Sequence, residues 1–419
     1  MEFSIDELCN FWLLEVRNDF IVTVRKHFEK KVTQMPQNAN FGFPTQIKFG
    51  AGRIAELGGL CKEAGIKRPL LVTDPGLAGM DMVKNIVASL ETDGLAIAVF
   101  SDIKPNPIEE NIIDGVKAFK AGGHDGVIAF GGGSGLDAGK VIAFYQGQTR
   151  PLFDYEDVGD WWSRADPKGI APNIAVPTTA GTGSEVGRAG LVTDSVTHAK
   201  KIIFHPLMLP TFAILDPELT VGLPAGLTAA TGIDALSHNL EAYSAPSYHP
   251  FAAGIALEGM RLVKDFLPDA VSSPTDLEAR GQMLVASSMG ATAFQRGLGA
   301  MHALAHPLGG VYDAHHGMLN AILMPYVLKA NREAIEKRIE RASEYMYIKG
   351  GFNGFLDWVL DLRSQLNIPH DLAAIGIPDD NLEMIAEMAT KDPSAGGNPI
   401  QFSAAQYHDI VAKAVRGDL

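Results

Sequence analysis

The chain predicts an α/β domain built on a parallel sheet, followed by an all-helical domain. Three observations carry that prediction. Between about residues 41 and 222, short apolar strand-like runs alternate with stretches of helical periodicity, the arrangement of a parallel sheet covered on both faces. From 223 to 419 helical periodicity continues with few β-branched runs. The length of 419 residues exceeds what one small core holds, so two domains are the default. Residues 1–40 stand apart as a leader segment whose mixed amphipathic pattern assigns no structure.

In order, TQIKFG (45–50) alternates as a strand and GRIAELGGLCKEAG follows as a helix closing on Gly65. PLLVTD (69–74) and LAIAVF (95–100) are short strands, separated by the helix MVKNIVASLE. IEENIIDGVKAFKAGG (108–123) is a helix ending in glycines, and GVIAFGGGS (126–134) is a strand running into a glycine turn before the helix LDAGKVIAFYQ. The stretch 151–169, rich in Trp, Asp and Gly, is a loop, and NIAVPTT (173–179) and FAILDP (212–217) supply further strands. Later stretches such as LTAATGIDALSHNLEAYS and FAAGIALEGMRLVKDFL are helical.

Hydrophobic residues at 46% and charged residues at 20% describe an ordinary globular protein. A net charge of −14, with one short basic patch at 25–31, makes nucleic acid or an anionic membrane an unsuitable partner. Two cysteines, Cys9 and Cys61, form no disulfide framework and no thiolate metal set, which points to a reducing compartment. No segment reaches the roughly 18 apolar residues of a membrane span. The N-terminus lacks the basic region and cleavage site of a secretory signal, so a cytoplasmic location is expected.

Three loops follow strands of the expected sheet. GGGSGLDAGK (131–140) can line a diphosphate with backbone N–H groups at a helix N-terminus, although Leu136 occupies the third place of G-x-G-x-x-G and the GK[ST] ending is absent. Its other reading is a tight strand-to-helix turn. Asp74, ending PLLVTD, is either a helix N-cap or the acid that binds an adenosine ribose and favours NAD over NADP. PTTAGTGSE (177–185) is the third. Ligands of open α/β sheets bind at the carboxyl ends of strands, where all three belong.

The most informative side chains lie later. Asp234 and His238 are four apart in ATGIDALSHNLEA and share one helix face. GAMHALAHPLGGVYDAHHG holds His302, His306, His315 and His316. Imidazole and carboxylate are ligands for divalent iron or zinc, so a fold that joins the two segments makes a metal site with an open position.

Together, GGGSGLDAGK, PTTAGTGSE, TGIDALSHNLEA and GAMHALAHPLGGVYDAHHG resemble the iron-containing (group III) alcohol dehydrogenase family, in the same order, over roughly residues 41 to 400. The resemblance implies a dehydroquinate synthase-like fold: an N-terminal α/β NAD-binding domain at 41–222, an all-helical metal-binding domain at 223–419, and the metal in the cleft. It implies Asp234, His238, His302 and His316 as ligands, His316 being chosen over His315 because it precedes Gly317. Dinucleotide contacts map to Asp74, Gly132, Gly133, Ser134, Asp137, Thr178, Thr179 and Ser184, with Lys201 favoured over Lys200 in HAKKIIF. His306, set before a proline expected to end its helix, is the candidate proton relay.

The implied reaction moves hydride between nicotinamide and a small primary alcohol, diol or hydroxy acid, or the matching aldehyde, with Fe²⁺ the usual metal and Zn²⁺ or another divalent ion possible. A homodimer or higher homo-oligomer is implied too. Phe294 and Trp161 or Trp162 are candidates for the pocket wall, while His205, His249, His370 and His408 read as surface or capping residues. The alternatives are a metal- and NAD-using lyase of the dehydroquinate synthase type, a metal hydrolase without nucleotide, and a non-catalytic binding protein.

Overall fold

Each central strand of the sheet is a run of four to six mostly apolar residues, and alternate side chains feed opposite layers. Leu70, Val72 and Val127 pack with Val141, Ile142 and Phe144 on one face; Leu71, Ile128 and Phe130 pack with Leu57, Leu60 and Ile86 on the other. The computed structural model describes residues 38–42, 45–197 and 199–419, so the leader up to residue 37, including Cys9, lies outside the described residues.

The strands of the main sheet are β1 (Asn38–Gly42), β2 (Gln46–Gly50), β3 (Pro69–Val72), β4 (Ala98–Phe100), β5 (Gly126–Gly131), β6 (Asn173–Pro177) and β9 (Phe212–Leu215), in the order β1-β2-β9-β6-β5-β3-β4. From β2 to β4 every pairing is parallel. Helices α1 (Leu57–Glu63), α2 (Asp81–Thr92), α3 (Glu109–Ala121) and α4 (Gly133–Tyr145) connect them. The chain runs from β3 outward to β4, then returns to place β5 on the other side of β3. This reversal makes a topological switch point between β3 and β5, where open α/β sheets bind ligands. The register, with Val72 opposite Ala129 and Gly131 opposite Pro177, brings the loops after β3, β5 and β6 to one edge.

A separate antiparallel hairpin, β7 (Ala189–Thr193) and β8 (Lys200–Phe204), was not expected from the sequence. Its strands form a sheet of their own, outside the alternation that marks the main sheet, with single bridges from Thr193 to Ile108 and from Ile203 to Glu156.

After β9 every described element is helical: α5 (Ala225–Ser244), α6 (Pro250–Ser272), α7 (Leu277–Ala293), α8 (Ala300–Tyr312), α9 (His316–Tyr345), α10 (Gly351–Gln365), α11 (Leu382–Lys391) and α12 (Ala404–Arg416), with short 3₁₀ turns between them. The change of character near residue 222 is thus visible in the elements, while residues 40–419 cluster as one compact unit. α5 is buried on nearly every side from Thr228 to Ser244, packed against α6, α7 and α9. Among the described residues no helix is long and apolar enough to cross a membrane.

Pro307 does not end its helix, as the sequence suggested; α8 runs through it to Tyr312. Every residue from Ala300 to Gly309 is buried, and that packing outweighs the hydrogen bond the proline ring removes.

Candidate metal centre and nucleotide edge

Three helices meet at the cluster. α5 carries Asp234 and His238 one turn apart, α8 carries His302 and His306 one turn apart, and His316 is the first residue of α9. One ligand atom from each of Asp234, His238, His302 and His316 lies within 4.8 Å of the others. The glycine after His316 has a steric reason. A Cβ on Gly317 would stand 2.5 Å from the Ala230 carbonyl oxygen and 3.3 Å from Asp234 Cβ, so only glycine lets the start of α9 approach α5 this closely. His315 instead caps α9, its Nδ1 accepting from Met318 N at 3.3 Å.

Hydrogen bonds fix how the imidazoles face. His302 Nδ1 lies 2.7 Å from Glu241 Oε2, and His238 Nδ1 lies 3.2 Å from the Gly181 carbonyl oxygen. Both acceptors require an Nδ1–H, which leaves each Nε2 a bare lone pair. The Asn320 amide nitrogen sits 2.8 Å from Asp234 Oδ1 and 3.2 Å from both His302 Nε2 and His316 Nε2. Two amide protons cannot satisfy three acceptors, and His316 Nδ1 is buried without a partner. A buried set of convergent acceptors, one anionic, fits a divalent cation.

Electrostatics agree. Burial holds His238 neutral, with its pKa lowered to about 4, and burial followed by the charges of Lys200, His302 and His306 pushes His316 well below the ordinary range. Burial also acts to lower His302, but the hydrogen bond and charge of Glu241, with Asp234 and Asp392, outweigh it and raise that group. His306 lies beside the cluster rather than in it. Its ring stacks on His316 at 5.3 Å, and its Nδ1 is 2.8 Å from Asp392 Oδ2.

On the sheet edge, Gly132 is the N-cap of α4 and offers no side chain, so the first N–H groups of that helix are not capped by it. Gly132 faces Thr179, and Gly133 faces Thr182, which brings the loops after β5 and β6 together. Asp74 caps the turn Pro75–Ala78, its Oδ1 accepting from Leu77 N at 3.0 Å, while Oδ2 is turned toward Gly131. Thr178 continues the ladder, donating its N–H to the Gly131 carbonyl at 2.9 Å. Asp137 accepts from Ser184 Oγ and from Leu191 N, and so ties α4 to the loop after β6. Through Gly181 the same loop touches His238, which joins the sheet edge to the Asp/His cluster.

Of the two lysines in HAKKIIF, the structure turns Lys200 toward the cluster, not Lys201. Adjacent residues of β8 point to opposite sides. Lys200 Nζ lies 3.8 Å from where a Cβ on Gly309 would stand; burial lowers its pKa against the pull of Asp137, Asp234, Asp313 and Asp392. Lys201 pairs with Asp194 at 3.3 Å and Glu156 at 3.8 Å and lies over the Phe153 ring.

Phe294 packs edge-on against His238 with ring centroids 5.4 Å apart. Trp161 and Trp162 contact Arg164 and His205 instead. His205 and His249 cap helical turns, as read from the sequence, although His205 is buried. Glu241, Asn320 and Asp392 were not singled out from the sequence. The first two had a signal available, since each follows a histidine of the cluster at helical spacing: Glu241 three after His238, Asn320 four after His316.

The family pattern for iron-containing alcohol dehydrogenase matches residues 44–217, and the C-terminal pattern of the same family matches 228–415. A 4-hydroxybutyrate dehydrogenase from Cupriavidus necator is 37% identical over 88% of this chain and 98% of its own length. An NAD-dependent methanol dehydrogenase from Bacillus methanolicus is 33% identical over 90% and 100%. The crystal structure of a 1,3-propanediol oxidoreductase superposes with a TM-score of 0.84 at 34% identity, covering 91% of this chain and all of that one. These relatives are named as dehydrogenases or as an oxidoreductase and do not favour the lyase alternative. With both patterns matched in order over the two halves that build the metal cluster and the sheet edge, the chain belongs to the iron-containing alcohol dehydrogenase family.

Proposed function

We propose that this chain is a metal-dependent, NAD(H)-linked alcohol dehydrogenase and aldehyde reductase acting on a small primary alcohol, diol or hydroxy acid. The observation that carries the reading is the convergence of Asp234, His238, His302 and His316 within 4.8 Å, joined through Gly181 to a glycine loop at the sheet edge. The relatives named for 4-hydroxybutyrate, methanol and 1,3-propanediol support the substrate range. Residues 41–222 form the nucleotide half and 223–419 the metal half of this reading.

The four residues of the cluster would hold Fe²⁺, or Zn²⁺ in its place. A divalent ion there supplies Lewis acidity toward an alcohol or carbonyl oxygen. The chain's own residues do the rest. The uncapped N-terminus of α4, with Gly132, Gly133 and Ser134, would bind the diphosphate of NAD, and Thr178, Thr179 and Ser184 line the neighbouring loop. Asp74 has one oxygen engaged as a cap and the other available to a ribose hydroxyl, which disfavours a 2′-phosphate. Asp137 positions the loop through Ser184 and holds β7 through Leu191. Lys200 brings positive charge to the cleft.

His306 is the proton carrier. Its Nδ1–H donates to Asp392, so Nε2 holds a lone pair that can take the hydroxyl proton and pass it on to water. Asp392 is suited to holding that imidazole in its charged form. Burial opposes the carboxylate, but the charge and hydrogen bond of His306 and the N–H of Ser394 keep its pKa below the ordinary value. Phe294, packed on His238, would form part of the pocket wall. A cytoplasmic homodimer completes the reading.

The test is anaerobic turnover of the Fe²⁺-loaded protein with NAD⁺ or NADP⁺ against short alcohols, diols and ω-hydroxy acids, following reduced cofactor. Metal-dependent turnover with NAD⁺ preferred is the expected result. Nucleotide and metal binding without turnover of any alcohol would overturn it.

A further inference from the structure

The N-terminus of α8 is an unusual helix start. Its N-cap, Gly299, has no side chain, yet the first three N–H groups are all satisfied from outside the helix. Gly299 N donates to Glu241 Oε2 at 2.8 Å, Ala300 N to Asn398 Oδ1 at 3.1 Å, and Met301 N to Glu241 Oε1 at 2.7 Å. Glu241 Oε2 also takes His302 Nδ1 at 2.7 Å. One buried carboxylate thus receives three N–H groups: two from the backbone that carries His302 and one from its ring.

From this arrangement we infer that Glu241 is a positioning residue for the metal centre, acting through His302 without touching the metal. The inference rests on the metal-site reading above. Three consequences follow from the geometry. The carboxylate forces His302 into the tautomer with hydrogen on Nδ1, so that Nε2 presents its lone pair toward Asp234 and His316. By clamping the Gly299 and Met301 N–H groups, it fixes the rise of α8 on which His302 sits. Its negative charge, one imidazole away from the site, joins that of Asp234 to match a divalent cation in a buried setting. Glu241 lies on α5 with two of the four ligands, so the helix that supplies Asp234 and His238 also orients a ligand on α8.

A carboxamide cannot replace it. In either orientation its NH₂ faces an N–H: that of Met301 in one, those of Gly299 and His302 in the other. The decisive experiment measures Zn²⁺ affinity by calorimetry on the full chain for wild type, Glu241→Gln and Asn398→Ala, with circular dichroism of each apo-protein. Asn398 caps the same helix end without contacting His302.

Glu241→Gln is expected to bind Zn²⁺ about 10–100-fold more weakly with its helical signal retained, while Asn398→Ala keeps wild-type affinity. Equal affinity in wild type and Glu241→Gln, or an equal loss in Asn398→Ala, would overturn the inference. A wild type that takes up no Zn²⁺ would instead sink the metal-site reading beneath it.

If Glu241→Gln does not fold, nitrogen-15 imidazole spectra of the wild-type apo-protein at alkaline pH decide the matter, with His302 assigned by its loss in His302→Gln. A proton on Nδ1 upholds the inference and a proton on Nε2 contradicts it.

Discussion

The sheet edge and the helical cluster solve opposite problems with the same kinds of residue. At the edge the polar side chains are largely spoken for: Asp74 caps Leu77, and Asp137 holds Ser184 and Leu191. What remains without a side-chain partner there is mostly backbone N–H at the start of α4. In the cluster the reverse holds. Backbone groups are paired, within helices or, at the start of α8, with Glu241 and Asn398, and side-chain acceptors face one another with too few protons between them. A binding surface made of backbone tolerates change in most side chains but not in its glycines. One made of side chains fails when any ligand is removed.

The sharpest way to break that contrast is His302→Ala. Its metal affinity should fall by more than the about 100-fold expected for loss of an outer partner, and turnover should go with the metal. Metal content after dialysis checks this, and full retention would deny His302 a ligand role. His306→Ala comes next. Turnover is expected to drop about 10²- to 10⁴-fold while metal stays bound, as suits a proton carrier. Stoichiometric metal loss in that variant would move His306 into the ligand set.

Gly133→Ala probes the backbone side. The added Cβ would stand 2.6 Å from Thr182 Cγ2, so the two loops must part, at a cost of about 1–3 kcal/mol. The Michaelis constant for NAD⁺ should rise with metal content unchanged.

The metal-free protein should also lose stability in acid. Because the folded pKa of His238 is depressed to about 4 from 6.5, the unfolded chain binds more protons between those values, and stability falls as pH drops through that window. The shift corresponds to up to about 3 kcal/mol, with His316 adding in the same direction. His302, whose pKa is raised, works the opposite way and loses its contribution as pH climbs above 6.5. Thermal melts of the apo-protein from pH 7 to 4 would show the decline, and a flat profile would contradict it. The smallest effect belongs to Asp74→Ser, which can keep a cap while removing the charge; turnover with NADP⁺ should gain on NAD⁺ and stability should move by less than about 1 kcal/mol.

The same contrast explains what was legible beforehand. The three loops and the four side chains that converge were noticeable because their signals are local: glycines directly after apolar runs, and imidazole and carboxylate at helical spacing. Asp392 was invisible for the opposite reason, since 86 positions separate it from His306 and only the fold joins them. Lys200 and Lys201 could not be told apart without the register of β8, because one step along a strand exchanges its faces. The continuation of α8 through Pro307 shows tertiary burial overriding a local rule. Glu241 could have been noticed as a carboxylate in an apolar helix beside Asp234 and His238, but its partners lie at the start of another helix.

The most direct test of the central claim is an anomalous difference map at the iron edge from crystals grown anaerobically with Fe²⁺. One peak bounded by Asp234, His238, His302 and His316, at the roughly 2.0–2.2 Å that oxygen and nitrogen ligands keep from such a metal, is the predicted result. A map with no peak there, or with iron bound at another site while the protein still oxidises alcohols, would contradict the account.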